Sequence, residues 1–529
     1  MGRIDILYLG DLYFMNMKMT DAYSGFTIDF SRMNINEKSL LDMQSMFAAA
    51  MKEMAALEAG AIKNPDENRK VTHFTDRANY RTSELFREVE EFAAAIRNGK
   101  ITGGTGKEFE AVVVNGIGGS ALGPQLLQFA INGPYWNEKS RSQRNNGLRV
   151  YFLDNTDPAG LKDLLEVIDL ESTLQLCVSK SGGTRETLNN LTALINIYKA
   201  KGLNYGDYAC AVTMKGSLLD KQAEEMGFMK VFPMAESIGG RTSETSIVGH
   251  VPAALTGIDF RMFLDGACRM DNWTRNSNIE NNPALMLAAA WYLAGNGKGD
   301  RNMVIVPYSD RLVLLARYLQ QLVMESLGKE LDLDGKLVNQ GLNVFGNKGG
   351  TDAHAFIQQL NDGRDDFFAT FIEVMHDAEN IPLDGSRNMG DYLHGFLYGL
   401  AAALSNKKRP VITMEISTIS PANLGTLIAL YERAVAIYAE FIHINAFHQP
   451  GVQAYKLAAN GMLEIREKLF SELTKTVNGT AEELAIAAGM PTAVNTVAGW
   501  LNRAAANPES YNVERKYSTE KEEYIYTVK

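Results

Sequence analysis

Two short turns in this sequence combine glycines with hydroxyl groups, and each follows an apolar run of strand length. The first covers residues 116–120 and ends in Gly119 and Ser120. The second covers residues 179–187, at the predicted start of a helix, and places four hydroxyls within nine residues, those of Ser179, Ser181, Thr184 and Thr187. Hydroxyls and backbone N–H groups at a helix N-terminus suit a phosphate dianion. A pair of such turns on adjacent strands is the arrangement expected of a sugar-phosphate pocket.

The first turn also admits other interpretations. A dinucleotide-binding loop would need a third glycine where the chain has Ala121, and an acidic residue about twenty positions further on. The acid near that position, Glu138, lies in a stretch that reads as a loop. A tight strand-to-helix turn without a ligand stays open as an alternative, and helix capping alone would use only one or two hydroxyls of the second turn.

The strands that precede these turns belong to a longer alternation of apolar runs and helical patterns. Runs of strand length end near residues 114, 153, 178 and 212, and the pattern restarts in residues 302–307, 366–374 and 409–414. Strands that alternate with helices predict an α/β fold, in which parallel sheets are covered on both faces. Ligands on such sheets bind at the carboxyl ends of the strands, where the polar turns lie.

Length and charge narrow the class of protein. The chain has 529 residues, enough for about two to four folding units, and its composition is ordinary for globular proteins. With 52 Lys+Arg against 63 Asp+Glu, the formal charge is −11. This charge argues against nucleic acid or an anionic membrane as a partner, because both need a broadly basic face. A local basic pocket for a small anion is still allowed.

Cysteine usage and the apolar stretches indicate a cytoplasmic protein. Cys177, Cys210 and Cys268 are widely spaced, so the sequence predicts neither a disulfide framework nor a zinc cluster. The acid Asp5 interrupts what would be the apolar core of a signal peptide. The longest apolar stretches, such as residues 284–295, fall short of the ~20 residues that cross a bilayer.

Six motifs in order along the chain resemble those of the sugar-isomerase domains of glucose-6-phosphate isomerases. They span about 340 residues, and their combination is specific although each alone is weak. The motifs are residues 116–124, 179–187, 238–243, 324–329, 350–356 and 445–456. The resemblance implies two flavodoxin-like, three-layer αβα units with parallel sheets, together with helical N- and C-terminal segments.

The resemblance also implies roles for individual side chains of an aldose–ketose isomerase. Such an enzyme needs a base that moves a proton between C1 and C2, a cation beside the enediolate oxygens, and a group that opens the sugar ring. The base corresponds to Glu325 and the cation to Arg241, whereas His354 and Lys456 correspond to the ring-opening pair. The implied substrate contacts are Gly119, Ser120, Ser179, Lys180, Ser181, Thr184, Thr187, Gln321 and Gln449. Gln321 and Glu325 are four residues apart, a spacing that predicts one helix face.

Several positions depart from the family's common pattern. Residues 182–183 are two glycines where the family has an aromatic and a hydroxyl, and Leu327 replaces an asparagine. Thr242 replaces an aromatic after Arg241, and His448 replaces an aspartate before Gln449. The loop that bears the histidine is also about one residue shorter than the commonest form. These departures leave every implied catalytic group in place, and they bear on sugar specificity and affinity.

We therefore divide the sequence into a helical N-terminal region (1–100), two sugar-isomerase α/β domains (101–265 and 266–456) and a helical C-terminal segment with a loosely held tail (457–529). The resemblance implies reversible conversion of glucose 6-phosphate to fructose 6-phosphate through ring opening and a cis-enediol, in glycolysis and gluconeogenesis. It implies no metal or organic cofactor, and a homodimer in which the histidine loop completes the partner's site. Two alternatives stay open, a regulatory protein that binds a sugar phosphate and an isomerase of another phosphosugar.

Overall fold

The computed structural model describes residues 17–473 and 477–529, which form two compact units. One unit ends at His448 and the other covers Gln449–Lys529. Within the described residues, no helix is both long and apolar enough to cross a membrane. Asp5, on which the expectation about a signal peptide depends, lies outside the described residues. The division of the sequence into four regions stays a prediction.

The first unit alternates strands and helices along most of its length. Its strands are β1 (Lys18–Thr20), β2 (Thr27–Arg32), β3 (Ile62–Asn64), β4 (Arg69–Lys70), β5 (Ala111–Asn115), β6 (Arg149–Leu153), β7 (Thr173–Val178), β8 (Ala209–Thr213), β9 (Lys230–Pro233), β10 (Asn302–Pro307), β11 (Lys329–Leu331), β12 (Leu337–Gln340), β13 (Val344–Phe345), β14 (Phe367–Val374) and β15 (Val411–Ile416). Its helices are α1 (Glu37–Asp42), α2 (Gln44–Glu58), α3 (His73–Tyr80), α4 (Glu84–Arg97), α5 (Leu122–Asn132), α6 (Pro158–Val167), α7 (Arg185–Ala200), α8 (Leu218–Glu225), α9 (Ile247–Thr256), α10 (Phe260–Thr274), α11 (Pro283–Ala294), α12 (Leu315–Leu319), α13 (Ile357–Asp362), α14 (Met389–Asn406) and α15 (Pro421–Phe441).

The first sheet is five-stranded and parallel, in the order β6-β5-β7-β8-β9. Counted along the chain, this is the order 2-1-3-4-5 of flavodoxin-like folds. Every residue of β5, β7 and β8 is buried, so both faces of the sheet are covered. The structure thus confirms the predicted α/β fold with parallel sheets. In this order, the strand sequence reverses between β5 and β7.

The second sheet repeats this order for four strands and then departs from it. Strands β13, β10, β14 and β15 are parallel neighbours, and β2 pairs antiparallel with β15 where a fifth parallel strand would lie. The N-terminal region contains the expected helices, but the sequence analysis did not predict β1 and β2, which both join this sheet. Buried Phe26, Ile28 and Phe30 alternate with more polar neighbours, which is the two-residue period of a strand. This short signal is weaker than that of the longer helical patterns that follow.

Buried ion pairs join three helices of the first unit. Arg77 of α3 donates from Nε to the Asp271 carboxylate of α10 at 2.6 Å, and from Nη1 to Glu432 of α15 at 2.7 Å. Arg433, next along α15, donates from Nε to the same aspartate at 2.7 Å. Burial raises the pKa of Glu432 to about 7, although Arg77 opposes this. Removing one partner would leave a buried charge unpaired, which costs about 3–5 kcal/mol.

The second unit is not only helical. It contains α16 (Pro450–Glu472), β16 (Val477–Gly479), α17 (Ala481–Ala487), α18 (Val494–Ala505), β17 (Val513–Ser518) and β18 (Glu523–Val528). The three strands form an antiparallel sheet in the order β16-β18-β17. Val513, Tyr526 and Val528 are buried against apolar residues of the three helices. The last twenty residues are therefore anchored by apolar side chains, and the expectation of a loosely held tail is wrong. Although this segment is polar overall, a few apolar side chains at intervals along its strands are enough to cover a small core.

Candidate active site

The two glycine and hydroxyl turns meet at the point where the strand order of the first sheet reverses. The turn 116–120 follows β5, the turn 179–187 follows β7, and the two strands are parallel neighbours with Asn115 opposite Cys177. Asn115 Nδ2 also donates to the Thr187 carbonyl at 3.0 Å, which joins the end of β5 to the second turn. Carboxyl ends at a reversal of strand order are the usual ligand sites of open α/β sheets.

The first turn lies against a second glycine turn. A Cβ atom at Gly119 would lie 2.0 Å from the Gly240 carbonyl oxygen, so only glycine permits this approach. Ser243 Oγ donates to the Gly240 carbonyl at 2.7 Å and to the Gly119 carbonyl at 3.3 Å. The turn after β5 and the turn after β9 are thus fixed together, and Ser120 lies at the end of the first of them.

In the second turn, the serine hydroxyls hold the loop in shape. Ser179 Oγ accepts from the Gly182 N–H and Ser181 Oγ from the Gly183 N–H, each at 3.1 Å. A hydroxyl that accepts one hydrogen bond can still donate its own proton to an anion. Gly182 has φ +72°, and a Cβ there would lie 2.3 Å from the Leu219 backbone nitrogen. The glycine that departs from the family pattern is therefore required by the close packing of this loop.

Two threonines lie at the helix start that follows. Thr184 is the N-cap residue of α7, and its side chain makes no capping hydrogen bond. Thr187 is buried in the first turn of α7, and its hydroxyl has no hydrogen-bond partner in the described part of the chain. The N-terminus of this helix thus keeps donors available for an anion.

Lys180 is turned toward the protein backbone. Its ammonium donates to the carbonyl oxygens of Glu236 and Ile238, the latter at 2.9 Å. Burial, together with nearby Arg69, lowers the pKa of Lys180 to about 8. These bonds join the loop 179–184 to the segment that leads into Arg241.

Arg241 and Glu325 form the charged pair of the site. Arg241 Nε lies 3.3 Å from the Glu325 carboxylate. Its Nη1 donates to Ser326 Oγ and to the Ala446 carbonyl, both at 3.3 Å, and its Nη2 to the His448 carbonyl at 3.4 Å. Burial lowers the pKa of Arg241, while the charge of Glu325 opposes this. A desolvated cation therefore lies beside a carboxylate that is 21% exposed at its side chain.

Gln321, four residues before Glu325, faces the first glycine turn. A Cβ at Gly118 would lie 3.0 Å from Gln321 Nε2. Gln321 and Glu325 both belong to a single π-helical stretch, Gln320–Glu325, and not to the α-helix that their spacing predicts. Such π-helical segments are rare and are frequent at functional sites. The amide of Gln321 and the carboxylate of Glu325 thus both lie near the glycine turns.

Three other predicted residues, His354, Gln449 and Lys456, lie on other segments of the chain. His354 is exposed at the end of the turn Thr351–His354, which buried Asp352 holds by accepting from the Asn347 N–H at 2.9 Å. Within residues 17–473 and 477–529, the His354 side chain makes no hydrogen bond or ion pair. Lys456 lies on α16 and Gln449 directly precedes that helix, so both belong to the second unit.

Two cations near the pair were missed by sequence reasoning. Arg69 donates to the carbonyls of Ser237 and Phe447, both at 3.2 Å. Lys329 donates from Nζ to the carbonyls of Glu325 and Ser326 at 2.8 and 2.7 Å. Lys329 lies within the motif 324–329, so the sequence could have indicated that it lies near Glu325. Nothing in the sequence around Arg69 points to the site, because its partners are distant in the chain.

The other residues that depart from the family pattern are Leu327, Thr242 and His448, and their contacts indicate what each of them affects. Leu327 is fully buried in the apolar core, and Thr242 Oγ1 donates to the Gly239 carbonyl at 3.3 Å. His448 Nδ1 lies 3.4 Å from the Asp66 carboxylate. Leu327 thus affects packing, while Thr242 and His448 affect the immediate support of Arg241. In the described residues, no group of three or more His, Cys, Asp or Glu side chains could hold a metal ion.

Comparisons with known proteins agree with this geometry. The family described as phosphoglucose isomerase matches residues 29–394 and 399–479. A glucose-6-phosphate isomerase of Geobacter sulfurreducens is 46% identical over 505 residues, which are 92% of this chain and 93% of that protein. The corresponding protein of Nostoc punctiforme is 44% identical over 497 residues, or 91% and 92% of the two chains.

Solved structures give the same result. The crystal structure of a glucose-6-phosphate isomerase from Chlamydia trachomatis superposes with a TM-score of 0.73 at 28% identity, covering 84% of this chain and 89% of that one. A hypothetical protein from Thermus thermophilus gives a TM-score of 0.71 at 26% identity, over 83% and 99% of the two chains.

Proposed function

The chain belongs to the phosphoglucose isomerase family, and on this premise we propose that it interconverts glucose 6-phosphate and fructose 6-phosphate, a step of glycolysis and gluconeogenesis. The observation that carries the proposal is the pairing of Glu325 with Arg241 at 3.3 Å, beside the glycine and serine turns of the first sheet. A carboxylate next to a desolvated cation, within reach of a phosphate-binding helix start, provides the groups that this reaction requires.

The phosphate is held by the turns that follow β5 and β7. Ser120, Ser179, Ser181 and Thr184 donate hydroxyl protons to its oxygens, and the N-terminus of α7 contributes N–H groups and its positive dipole end. Thr187 supports this site from the first turn of α7. The chain binds an anion here despite its charge of −11, because these donors form a local pocket that needs no basic surface.

The isomerisation is a proton transfer on the open-chain sugar. The Glu325 carboxylate removes the proton from C2, the C2–H electrons form the C1–C2 double bond, and the C1=O1 electrons move onto O1, which gives a cis-enediolate. The O2–H proton passes to O1. Glu325 then returns its proton to C1 as the electrons on O2 form the C2=O2 bond of the ketose. Arg241 stabilises the negative charge that develops on these oxygens, since a guanidinium stays charged and does not compete for the proton.

Ring opening precedes this step. We assign it to His354 and Lys456, and contacts with the sugar to Gln321 and Gln449, on the resemblance alone. For Lys180 the support favours positioning over direct phosphate binding, because its ammonium already donates to the carbonyls of Glu236 and Ile238.

We further propose a homodimer with a composite site. His354 is exposed, and the cleft beside its loop, of about 660 Å³, is lined by Gly349 and Gly350 and by exposed apolar side chains, among them Leu383 (56%), Met389 (54%) and Phe396 (58%). Apolar side chains exposed together mark an interaction surface. A second copy of the chain that covers this cleft would take the histidine loop into its own site.

The alternatives are weaker. A regulatory protein that only binds a sugar phosphate has no need of a base held by an arginine and a π-helical turn. An isomerase of another phosphosugar would share the same pair, so substrate comparison distinguishes it. We place the protein in the cytoplasm, which is supported by three buried, unpaired cysteines.

The proposal is tested with a coupled assay for fructose 6-phosphate formed from glucose 6-phosphate, with mannose 6-phosphate in parallel. We expect turnover of glucose 6-phosphate by the wild type and a large loss in Glu325→Gln. A wild type that binds the phosphosugar without turnover would favour the regulatory protein instead.

A further inference from the structure

The helix that carries Glu325 ends in an arrangement that satisfies three consecutive carbonyl groups. The Gly328 N–H donates to the Met324 carbonyl at 2.8 Å. Lys329 Nζ donates to the carbonyls of Glu325 and Ser326, at 2.8 and 2.7 Å. The last carbonyls of a helix have no partner within the helix and must find one elsewhere. Here a single lysine side chain supplies it for the base and for the residue after it.

The sequence between base and lysine makes this possible. A Cβ at Gly328 would lie 2.7 Å from the Met324 carbonyl oxygen, so a side chain there would push the chain away from the helix end. Lys329 begins β11 directly after this glycine and is only 4% exposed. The spacing Glu325, Ser326, Gly328, Lys329 therefore returns the ammonium to the helix that has just ended.

We propose that Lys329 is a positioning residue for isomerisation, which fixes the backbone of Glu325 while Arg241 fixes its carboxylate. The proposal rests on the proposed function of Glu325 as the base. Arg241 approaches from the side chain and Lys329 from the main chain, so the two side chains hold the residue at both ends. A base held in this way keeps its distance from the C1 and C2 hydrogens through both proton transfers.

Lys329 lies among other charged and titratable groups. Burial and the charge of Arg241 lower the pKa of Lys329 to about 7, and Glu325 opposes this. Burial also lowers the pKa of His448, which Lys329 and Arg241 lower further and Asp66 opposes. Arg241, Glu325 and His448 are therefore among the charged and titratable groups near Lys329. Without the lysine, one buried and one partly buried carbonyl would lose their donor, and the end of the π-helical turn would be free to shift.

The test compares Lys329→Met with Lys329→Arg, and with Lys230→Met as a matched control. Lys230 is a partly buried lysine that forms an ion pair with Glu88. It lies at the start of β9, whereas the turn that leads to Arg241 follows the end of this strand. We expect kcat of Lys329→Met to fall about 10- to 100-fold with KM changed less than about threefold, since the base is displaced while the phosphate site is intact. The kinetic isotope effect with glucose 6-phosphate deuterated at C2 should rise, because proton abstraction then limits the rate.

Lys329→Arg keeps a charged donor and should recover much of the loss, and Lys230→Met should stay within about twofold of the wild type. If Lys329→Met does not fold, Lys329→Gln is assayed by the same criteria. A kcat within about threefold of the wild type, or a loss confined to KM, would overturn the proposal while leaving the proposed function intact. A wild type without isomerase activity would overturn both.

Discussion

At the scale of single residues, the site depends on how Arg241 is held. Its guanidinium contacts the Glu325 carboxylate, the Ser326 hydroxyl and the Ala446 carbonyl, which belong to two different segments of the chain. A planar group with five donors can satisfy several acceptors in fixed directions, and an ammonium cannot reproduce this geometry. We therefore expect the arginine to orient the Glu325 carboxylate and to present charge to the substrate.

Arg241→Lys should lower kcat/KM about 100-fold or more, because a lysine keeps the charge without reaching the same acceptors. Steady-state kinetics with glucose 6-phosphate measure this effect. Arg364→Lys serves as the control, since the Arg364 side chain is 83% exposed and should leave kcat/KM within about twofold of the wild type. An Arg241→Lys enzyme with more than about one third of wild-type activity would show that the geometry of the arginine is unimportant.

The sequence predicts some of these residues and not others. Glu325 and Arg241 lie in short motifs whose glycines and neighbours are recognisable, so the resemblance leads directly to them. Arg69 acts on carbonyls more than 160 residues away, at Ser237 and Phe447, and no local pattern reports such a contact. The direction of the Lys180 side chain could not be predicted from the sequence either, because burial and two carbonyls distant in the chain determine it.

At the scale of elements, contact between two glycine turns fixes the position of Arg241 relative to the first sheet. The turn after β5 contacts the turn after β9 through Gly119 and Gly240, with no space for a side chain at Gly119. Any separation of these turns moves Arg241 relative to the serines that follow β7. In the proposed function, these loop contacts set the distance between the phosphate and the reacting carbons.

Gly119→Ala should lower kcat/KM about 10- to 100-fold and destabilise the fold by about 1–3 kcal/mol, because its Cβ would lie 2.0 Å from the Gly240 carbonyl oxygen. Kinetics and thermal unfolding measure the two effects. Gly240→Ala provides a matched control, since no atom lies within 4 Å of a Cβ at that position. Equal behaviour of the two variants would mean that the turns do not need this close contact.

Element prediction succeeded where strands are fully buried. Strands such as β5 and β7 are continuous apolar runs, and polar turns mark their ends, so their position can be predicted from the sequence. It failed for β2 and for the sheet of β16, β17 and β18, where short segments with mixed burial depend on partners distant in the sequence. Strands of this kind are selected by tertiary pairing and not by their own composition.

At the scale of the whole molecule, the proposed composite site predicts that two inactive variants restore activity when they form mixed dimers. Glu325→Gln and His354→Ala should each be nearly inactive alone. When they are coexpressed, half of the dimers pair one variant with the other, and each such dimer contains one site with both native groups. About one quarter of wild-type activity should therefore return.

A control pairs Glu325→Gln with Arg241→Lys. Both residues contact each other within one chain, so no mixed dimer contains an intact site and activity should not return. If the coexpressed Glu325→Gln and His354→Ala proteins are no more active than the two separately, each site takes its histidine from its own chain.

The central claim, that Glu325 moves the proton, is tested most directly by solvent exchange. Wild type and Glu325→Gln are incubated with glucose 6-phosphate in D2O, and proton NMR follows deuterium entry at C2 of glucose 6-phosphate and C1 of fructose 6-phosphate. We predict exchange by the wild type and a loss of about 100- to 10,000-fold in the variant, the usual contribution of a general base. Equal exchange rates in the two proteins would contradict the account.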